Sequence, residues 1–316
     1  MRDRAGAPGD VAADALRADT SRGAGDGPPD GLRPGPLHAL RSGRDPGEAR
    51  HALVLLHGFG ATSRTWDPWL PALEARGHVV RIDLKGFGGS PKPTDGRYDP
   101  EEQARLVVET IGRLGLGPGG PADAPRPALV PIGHSFGGSV ALLAAMMLAD
   151  AGAPPAGLVV VAGPAFRQRL PPFVRLARHP EASAALMRGL GARLIVGQVF
   201  RSVVYDPGIV TSEMIERYAS GLDDAASVRG LLRCAGQVEP QDVDRLTARY
   251  PSLDVPTLLL WGRHDRVVPL HVGQRLARAL PRATLRVLDR CGHVPQEEMP
   301  ERSLAEVEAF LESLGR

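Results

Sequence analysis

Short, continuous apolar runs alternate with helix-like segments along most of this chain. In the runs, hydrophobic residues occupy consecutive positions rather than every second one, which is typical of strands covered on both faces. Amphipathic segments such as residues 101–114 separate them. Strands that alternate with helices predict a mostly parallel, doubly wound α/β sheet. The runs are residues 52–56, 78–83, 128–131, 157–161, 256–261 and 283–288, with residues 37–40 as a predicted edge strand.

The alternation divides the 316 residues into four predicted segments. Residues 1–36 are rich in Gly, Pro, Ala, Asp and Arg and have no apolar period, so we expect a disordered tail. Residues 37–163 and 252–316 carry the strands and form the two parts of the predicted core. Residues 164–251 contain helical pieces punctuated by Gly and Pro, which predicts a helical cap inserted after the sixth strand.

Composition excludes several classes of function. The net charge of +2 favours no charged partner, so we expect no nucleic acid binding. The two cysteines, Cys234 and Cys291, make no disulfide framework, and no His, Cys and carboxylate cluster has metal-ligand spacing. No segment resembles a signal peptide or is long enough to span a bilayer. We expect a cytoplasmic protein of bacterial type, without metal, cofactor or membrane insertion, and its oligomeric state stays open.

A serine flanked by glycines follows the run at residues 128–131. Gly133-His134-Ser135-Phe136-Gly137 has the pattern Gly-x-Ser-x-Gly, and an Ala/Leu/Met-rich segment comes after it. In such a nucleophile elbow the two glycines make room for a strained serine, and the N-terminus of the next helix favours an oxyanion. The pattern indicates Ser135 as a nucleophile, and a plain tight turn between strand and helix is the structural alternative.

A base and an orienting acid would complete such a site. Asp265 comes in the loop after the run at 256–261, and His293 in the loop after the run at 283–288. Functional groups collect at the carboxyl ends of parallel strands, so Ser135, Asp265 and His293 are expected together. An oxyanion hole needs two backbone donors, and the N–H groups of Phe59 and Phe136 are the predicted pair.

These motifs resemble those of the α/β-hydrolase superfamily, in its capped esterase/lipase-like branch. The resemblance covers residues 37–316 and rests on the turn at 57–60, the loop at 83–90, the elbow, the loop at 262–265 and the Gly292-His293 pair, in the expected order Ser, Asp, His. It implies an acyl-enzyme on Ser135, with His293 as general base and then acid, while Asp265 orients the imidazole.

Departures from related enzymes narrow the implied chemistry. Ser135 stands where epoxide- and halide-displacing relatives have Asp. The early turn, Gly60-Ala61-Thr62, lacks the Gly-Pro-Gly of carbon–carbon bond hydrolases and the Gly-Gly-Pro-Gly of proline iminopeptidases. The resemblance therefore implies an ester, thioester or lactone hydrolase. An acyltransferase or perhydrolase with the same triad, or a non-catalytic ligand-binding relative, is the alternative.

The predicted cap would form the wall of the substrate pocket, with Phe59, Phe136 and Phe166 as predicted lining residues. Its first half is rich in arginine and has one acid, Glu181. These arginines could attract an anionic substrate. A solvated arginine-rich face is the alternative, and we prefer it.

Overall fold

A computed structural model describes residues 36–117 and 126–314, so nearly all of the predicted tail lies outside the described residues. Seven strands lie in this part of the chain, and one sheet contains them in the order β1-β3-β2-β4-β5-β6-β7. The strands are β1 Ala39–Gly43, β2 His51–Leu56, β3 His78–Ile82, β4 Ala128–His134, β5 Leu158–Val161, β6 Thr257–Gly262 and β7 Ala283–Leu288.

The sheet is parallel except at one edge. β2, β3, β4, β5, β6 and β7 pair in parallel, and only β1 runs antiparallel, against β3. Every residue of β2 is buried, since helices cover both faces of the sheet. Val54 and Leu56 belong to one apolar cluster, and Leu53 and Leu55 belong to a second one on the opposite face. The predicted fold class is confirmed.

Helices connect the strands on both faces. Outside the predicted cap they are α1 Leu70–Arg76, α2 Pro100–Arg113, α3 Phe136–Asp150, α10 Leu270–Ala279, α11 Pro295–Glu298 and α12 Pro300–Ser313. Residues 164–251, which we call the insertion, contain α4 Pro172–Ala177, α5 Pro180–Leu190, α6 Ala192–Val203, α7 Ser212–Ala219, α8 Ala225–Ala235 and α9 Val243–Thr247. Within the described ranges, no helix is both long and apolar enough to cross a membrane.

Two of the predicted positions in the fold are wrong. Counted along the described residues, the insertion lies between β5 and β6, so it follows the fifth strand rather than the predicted sixth. The edge strand begins at Ala39, two residues later than expected. α12 begins at Pro300, because proline is well suited to the first turn of a helix.

Candidate active site

Ser135 stands at the turn between β4 and α3. Its backbone has φ 50° and ψ −120°, a strained conformation for a residue with a side chain. A Cβ on Gly133 would overlap the carbonyl oxygen of Gly137, and one on Gly137 would overlap the carbonyl oxygens of Leu56 and His57. Both glycines are therefore required by close backbone approach, as the elbow pattern predicted. Phe136 is the first residue of α3, so its N–H belongs to the unsatisfied helix N-terminus beside the serine.

The structure brings the three predicted triad residues into one hydrogen-bonded chain. His293 Nδ1 lies 2.9 Å from Asp265 Oδ2, and His293 Nε2 lies 2.9 Å from Ser135 Oγ. A carboxylate only accepts, so Nδ1 carries the proton and Nε2 accepts the serine hydroxyl. The second oxygen of Asp265 accepts the amides of Val267 and Val268 at 2.8 and 2.9 Å, which fixes the carboxylate. A neutral imidazole of this tautomer can remove the proton of Ser135.

The early turn reaches the serine from the other side. A Cβ on Gly58 would lie 3.3 Å from the Cβ of Ser135, so the backbone of this turn lies close to Ser135. His57 holds the turn, because its Nδ1–H donates to the carbonyl of Gly58 at 2.8 Å and its Nε2 accepts the amide of Leu84 at 2.9 Å. Burial lowers the pKa of His57, which favours this neutral tautomer.

His134, next to Ser135, faces the loop that carries His293. Its Nε2–H donates to the carbonyl oxygen of His293 at 2.9 Å, and the two rings lie 5.0 Å apart. Its Nδ1 is buried and has no hydrogen-bond partner among the described residues. Burial, followed by the proximity of His293, lowers the pKa of His134 to about 3. The ring is thus a neutral donor that supports the backbone at His293.

A cavity of about 270 Å³ opens beside Ser135 and His293. Phe59, Phe136 and Phe166 all line it, as the sequence predicted. Helices α4, α5, α6, α8 and α9 of the insertion supply much of the remaining wall, which is largely aliphatic. Apart from the two histidines and the phenols of Tyr218 and Tyr250, Glu239 is the one ionisable group among the described lining side chains. The insertion's arginines do not line the cavity in the described part of the chain.

Comparison with known families decides where the chain belongs. Residues 53–307 match the Alpha/beta hydrolase family. The chain is an α/β hydrolase. One relative, a putative carbamate hydrolase of Variovorax paradoxus, is 32% identical over 82% of this chain and 89% of its own length. Another, a 2-hydroxy-6-oxononadienedioate/2-hydroxy-6-oxononatrienedioate hydrolase of Burkholderia vietnamiensis, is 28% identical over 84% of this chain and 89% of its own.

A solved structure has the same fold as this α/β hydrolase. A thermophilic esterase from Thermogutta terrifontis superposes with a TM-score of 0.70 at 24% identity, over 89% of this chain and 94% of the other. At this identity the similarity establishes the fold alone. The relatives' substrates differ in class, so the chemistry of this α/β hydrolase has to be argued from its own site.

Glu298 is a residue at the site that the sequence analysis missed. Its carboxylate accepts the amides of Gly292 at 2.8 Å and Val294 at 3.0 Å, on either side of His293, and the amide of Tyr205 at 2.7 Å. The amide of His293 itself donates to the carbonyl of Val203, the last residue of α6, at 2.9 Å. The loop that carries the histidine is thus held by α11 and by the end of α6.

A buried ion pair lies one residue away and also joins the insertion to the core. Arg217 of α7 contacts both oxygens of Glu297 at 2.9 Å, and the hydroxyl of Tyr218 donates to the same carboxylate at 3.2 Å. Burial raises the pKa of Glu297, and Arg217 opposes the shift. The hydroxyl of Thr65 lies 2.5 Å from that of Tyr218, which extends the network to the turn after β2. No sequence pattern predicts this pair, because its members are 80 residues apart.

Proposed function

We propose that this α/β hydrolase cleaves carboxylic esters through an acyl-enzyme on Ser135. The observation that carries the proposal is the chain of two 2.9 Å hydrogen bonds from Ser135 through His293 to Asp265. His293 takes the serine proton as Oγ attacks the carbonyl, and Asp265 stabilises the resulting imidazolium. His293 then gives the proton to the leaving alcohol, and a water molecule activated by the same Nε2 hydrolyses the acyl-enzyme.

The oxyanion of each tetrahedral intermediate needs two donors in this mechanism. The N–H groups of Phe59 and Phe136 are the proposed pair, since both residues line the cavity beside the nucleophile. The close approach of Gly58 to Ser135 supports this assignment, because it keeps the early turn close to the reacting carbon. The histidine bonds that fix this turn would hold the hole in place before substrate arrives.

The cavity favours neutral, apolar substrates. A dioate substrate, such as the one named for the Burkholderia vietnamiensis relative, carries carboxylates that a buried site must pair with cations. No Arg or Lys lines the described cavity, and its one acid, Glu239, would repel an anion. We therefore propose esters with uncharged acyl and alcohol parts, and we assign residues 164–251 the role of a cap that encloses the apolar part.

Ester hydrolysis tests the proposal directly. We expect hydrolysis of p-nitrophenyl esters across a series of acyl lengths, and labelling of Ser135 by a fluorophosphonate. Ser135→Ala should abolish both signals, whereas Ser313→Ala, an exposed serine on α12, should keep both. Hydrolysis that survives in Ser135→Ala would refute the mechanism, and a wild type that is neither active nor labelled would indicate a non-catalytic relative. Transfer to an added alcohol in preference to water would indicate an acyltransferase.

A further inference from the structure

Exposed leucines are concentrated on the first three helices of the insertion. Among the described residues, five large hydrophobic side chains are strongly exposed, and three of them are Leu176, Leu190 and Leu194, exposed to 42%, 53% and 65%. We call these three the leucine rim. Water contact with large apolar side chains is unfavourable, so a group of them on one set of elements indicates a surface that becomes covered.

One member of the leucine rim lies at the mouth of the cavity. Leu176 is exposed and also lines the cavity, so it stands where the cavity meets solvent. The end of α4 is bonded to α5 through the hydroxyl of Ser183, which donates to the carbonyl of Leu176 at 2.9 Å. Leu190 ends α5 and Leu194 lies in the first turn of α6, on either side of the Gly191 turn, and neither lines the cavity.

The segment that carries the leucine rim is strongly basic. Residues 164–203 contain seven arginines, no lysine and a single acid, Glu181. Arg193 pairs with Glu216 and Asp223. Five others are exposed and have no carboxylate within 4 Å in the described part of the chain. They are Arg167, Arg169, Arg175, Arg178 and Arg201. Unpaired arginines beside exposed leucines are complementary to a surface that is apolar inside and anionic outside.

We propose that this face of the insertion docks on an anionic lipid bilayer. Leu190 and Leu194 enter the interface between headgroups and acyl chains, while the unpaired arginines contact lipid phosphates. The contact is peripheral, and it turns the mouth at Leu176 towards the lipid. The described lining of the cavity is mostly apolar and holds no Arg or Lys, so a neutral ester dissolved in the bilayer can move into it without crossing water. Docking goes beyond ester hydrolysis and does not depend on it.

Vesicle sedimentation tests the docking without any catalytic readout. Inactive Ser135→Ala protein is mixed with vesicles of phosphatidylcholine alone or with an equal share of phosphatidylglycerol. We expect binding to the anionic vesicles, weak binding to the neutral ones, and release as salt screens the arginines. Adding Leu190→Glu and Leu194→Glu together should reduce the partition coefficient by about tenfold or more, because two inserted side chains become charged. Leu40→Glu, on β1 and 38% exposed, is the matched control and should bind as before.

The arginine contribution has its own control. Arg175→Gln with Arg178→Gln should weaken binding and flatten its salt dependence, whereas Arg278→Gln with Arg290→Gln, two exposed arginines outside the insertion, should not. In otherwise wild-type protein, the paired leucine variant should hydrolyse a short, water-soluble ester at the wild-type rate, which shows that it folds.

Three results would overturn the docking. The first is no binding to anionic vesicles, and the second is equal binding by the leucine variant and its parent. The third is a wild-type protein that forms a dimer and does not bind vesicles, and that becomes monomeric when Leu190 and Leu194 are both replaced by Glu. The leucine rim would then contact a second copy of the chain.

Discussion

The titration of His134 has a calculable effect on stability. The pKa of this buried ring is about 3 in the folded protein and 6.5 in the unfolded chain, because burial and His293 both disfavour its charged form. Between these two values the unfolded chain binds a proton that the folded protein does not. The contribution of His134 to stability is therefore complete above pH 6.5 and is lost as the pH falls through 6.5 towards 3.

The magnitude follows from the width of this window. Each pH unit within it corresponds to about 1.4 kcal/mol, so about 2 kcal/mol is lost by pH 5 and about 5 kcal/mol by pH 3. His134→Gln removes the titration, and its amide can still donate to the carbonyl of His293. We therefore expect the free energy of unfolding of the variant to fall by about 2 kcal/mol less than that of the wild type between pH 7.5 and pH 5.

Urea unfolding at the two pH values measures this difference. Trp66, Trp69 and Trp261 are fully buried, so their fluorescence reports loss of the core. His57 is also buried with a lowered pKa, but it is present in both proteins and its contribution cancels. Equal pH dependence in the wild type and the variant would refute the reasoning, since the folded protein would then protonate His134 as readily as the unfolded chain.

Two further substitutions test the connections between the insertion and the histidine loop. Glu298→Gln leaves at least one of the three amides without its acceptor, which loosens the loop that carries His293. In steady-state assays we therefore expect kcat to fall about tenfold with a smaller change in KM. The control, Glu301→Gln at an exposed position, should leave both kcat and KM unchanged. Arg217→Met isolates the buried carboxylate of Glu297 and should lower the free energy of unfolding by about 3 kcal/mol. Adding Glu297→Gln should restore most of that loss, and full additivity in the double-mutant cycle would contradict the pairing.

The strands, the triad and the elbow could be predicted because each depends on a short sequence pattern. A strand buried on both faces is visible as a continuous apolar run, and parallel strands bring their carboxyl ends to one edge. This is why Ser135, Asp265 and His293 could be predicted together although they lie far apart in the chain. The need for glycine at positions 133 and 137 could also be predicted, because the Gly-x-Ser-x-Gly pattern marks the positions where a side chain does not fit. All-helical character could be predicted for the insertion in the same way.

The supporting contacts depend on how the insertion packs, and no short pattern specifies that packing. Glu298 follows another glutamate and looks like an ordinary surface acid on α11. Its partner Tyr205 lies 93 residues away, and only the path of α6 brings the two together. Burial of the Glu297 carboxylate likewise results from the position of α7, which also could not be placed from the sequence. Long-range polar contacts thus set the limit of prediction here.

These same contacts restrict how the cavity can open. A swing of the whole insertion would break the bonds from α6 to the histidine loop and the buried pair of Arg217 with Glu297, and would displace His293, the base of the proposed mechanism. In the described part of the chain, α4 and α5 make no hydrogen bond or ion pair with the sheet or its loops. Opening is therefore expected at α4 and α5, which leaves the triad in place. Leu176 lies on this segment, so a bilayer that covers it would contact the part of the insertion where opening is expected.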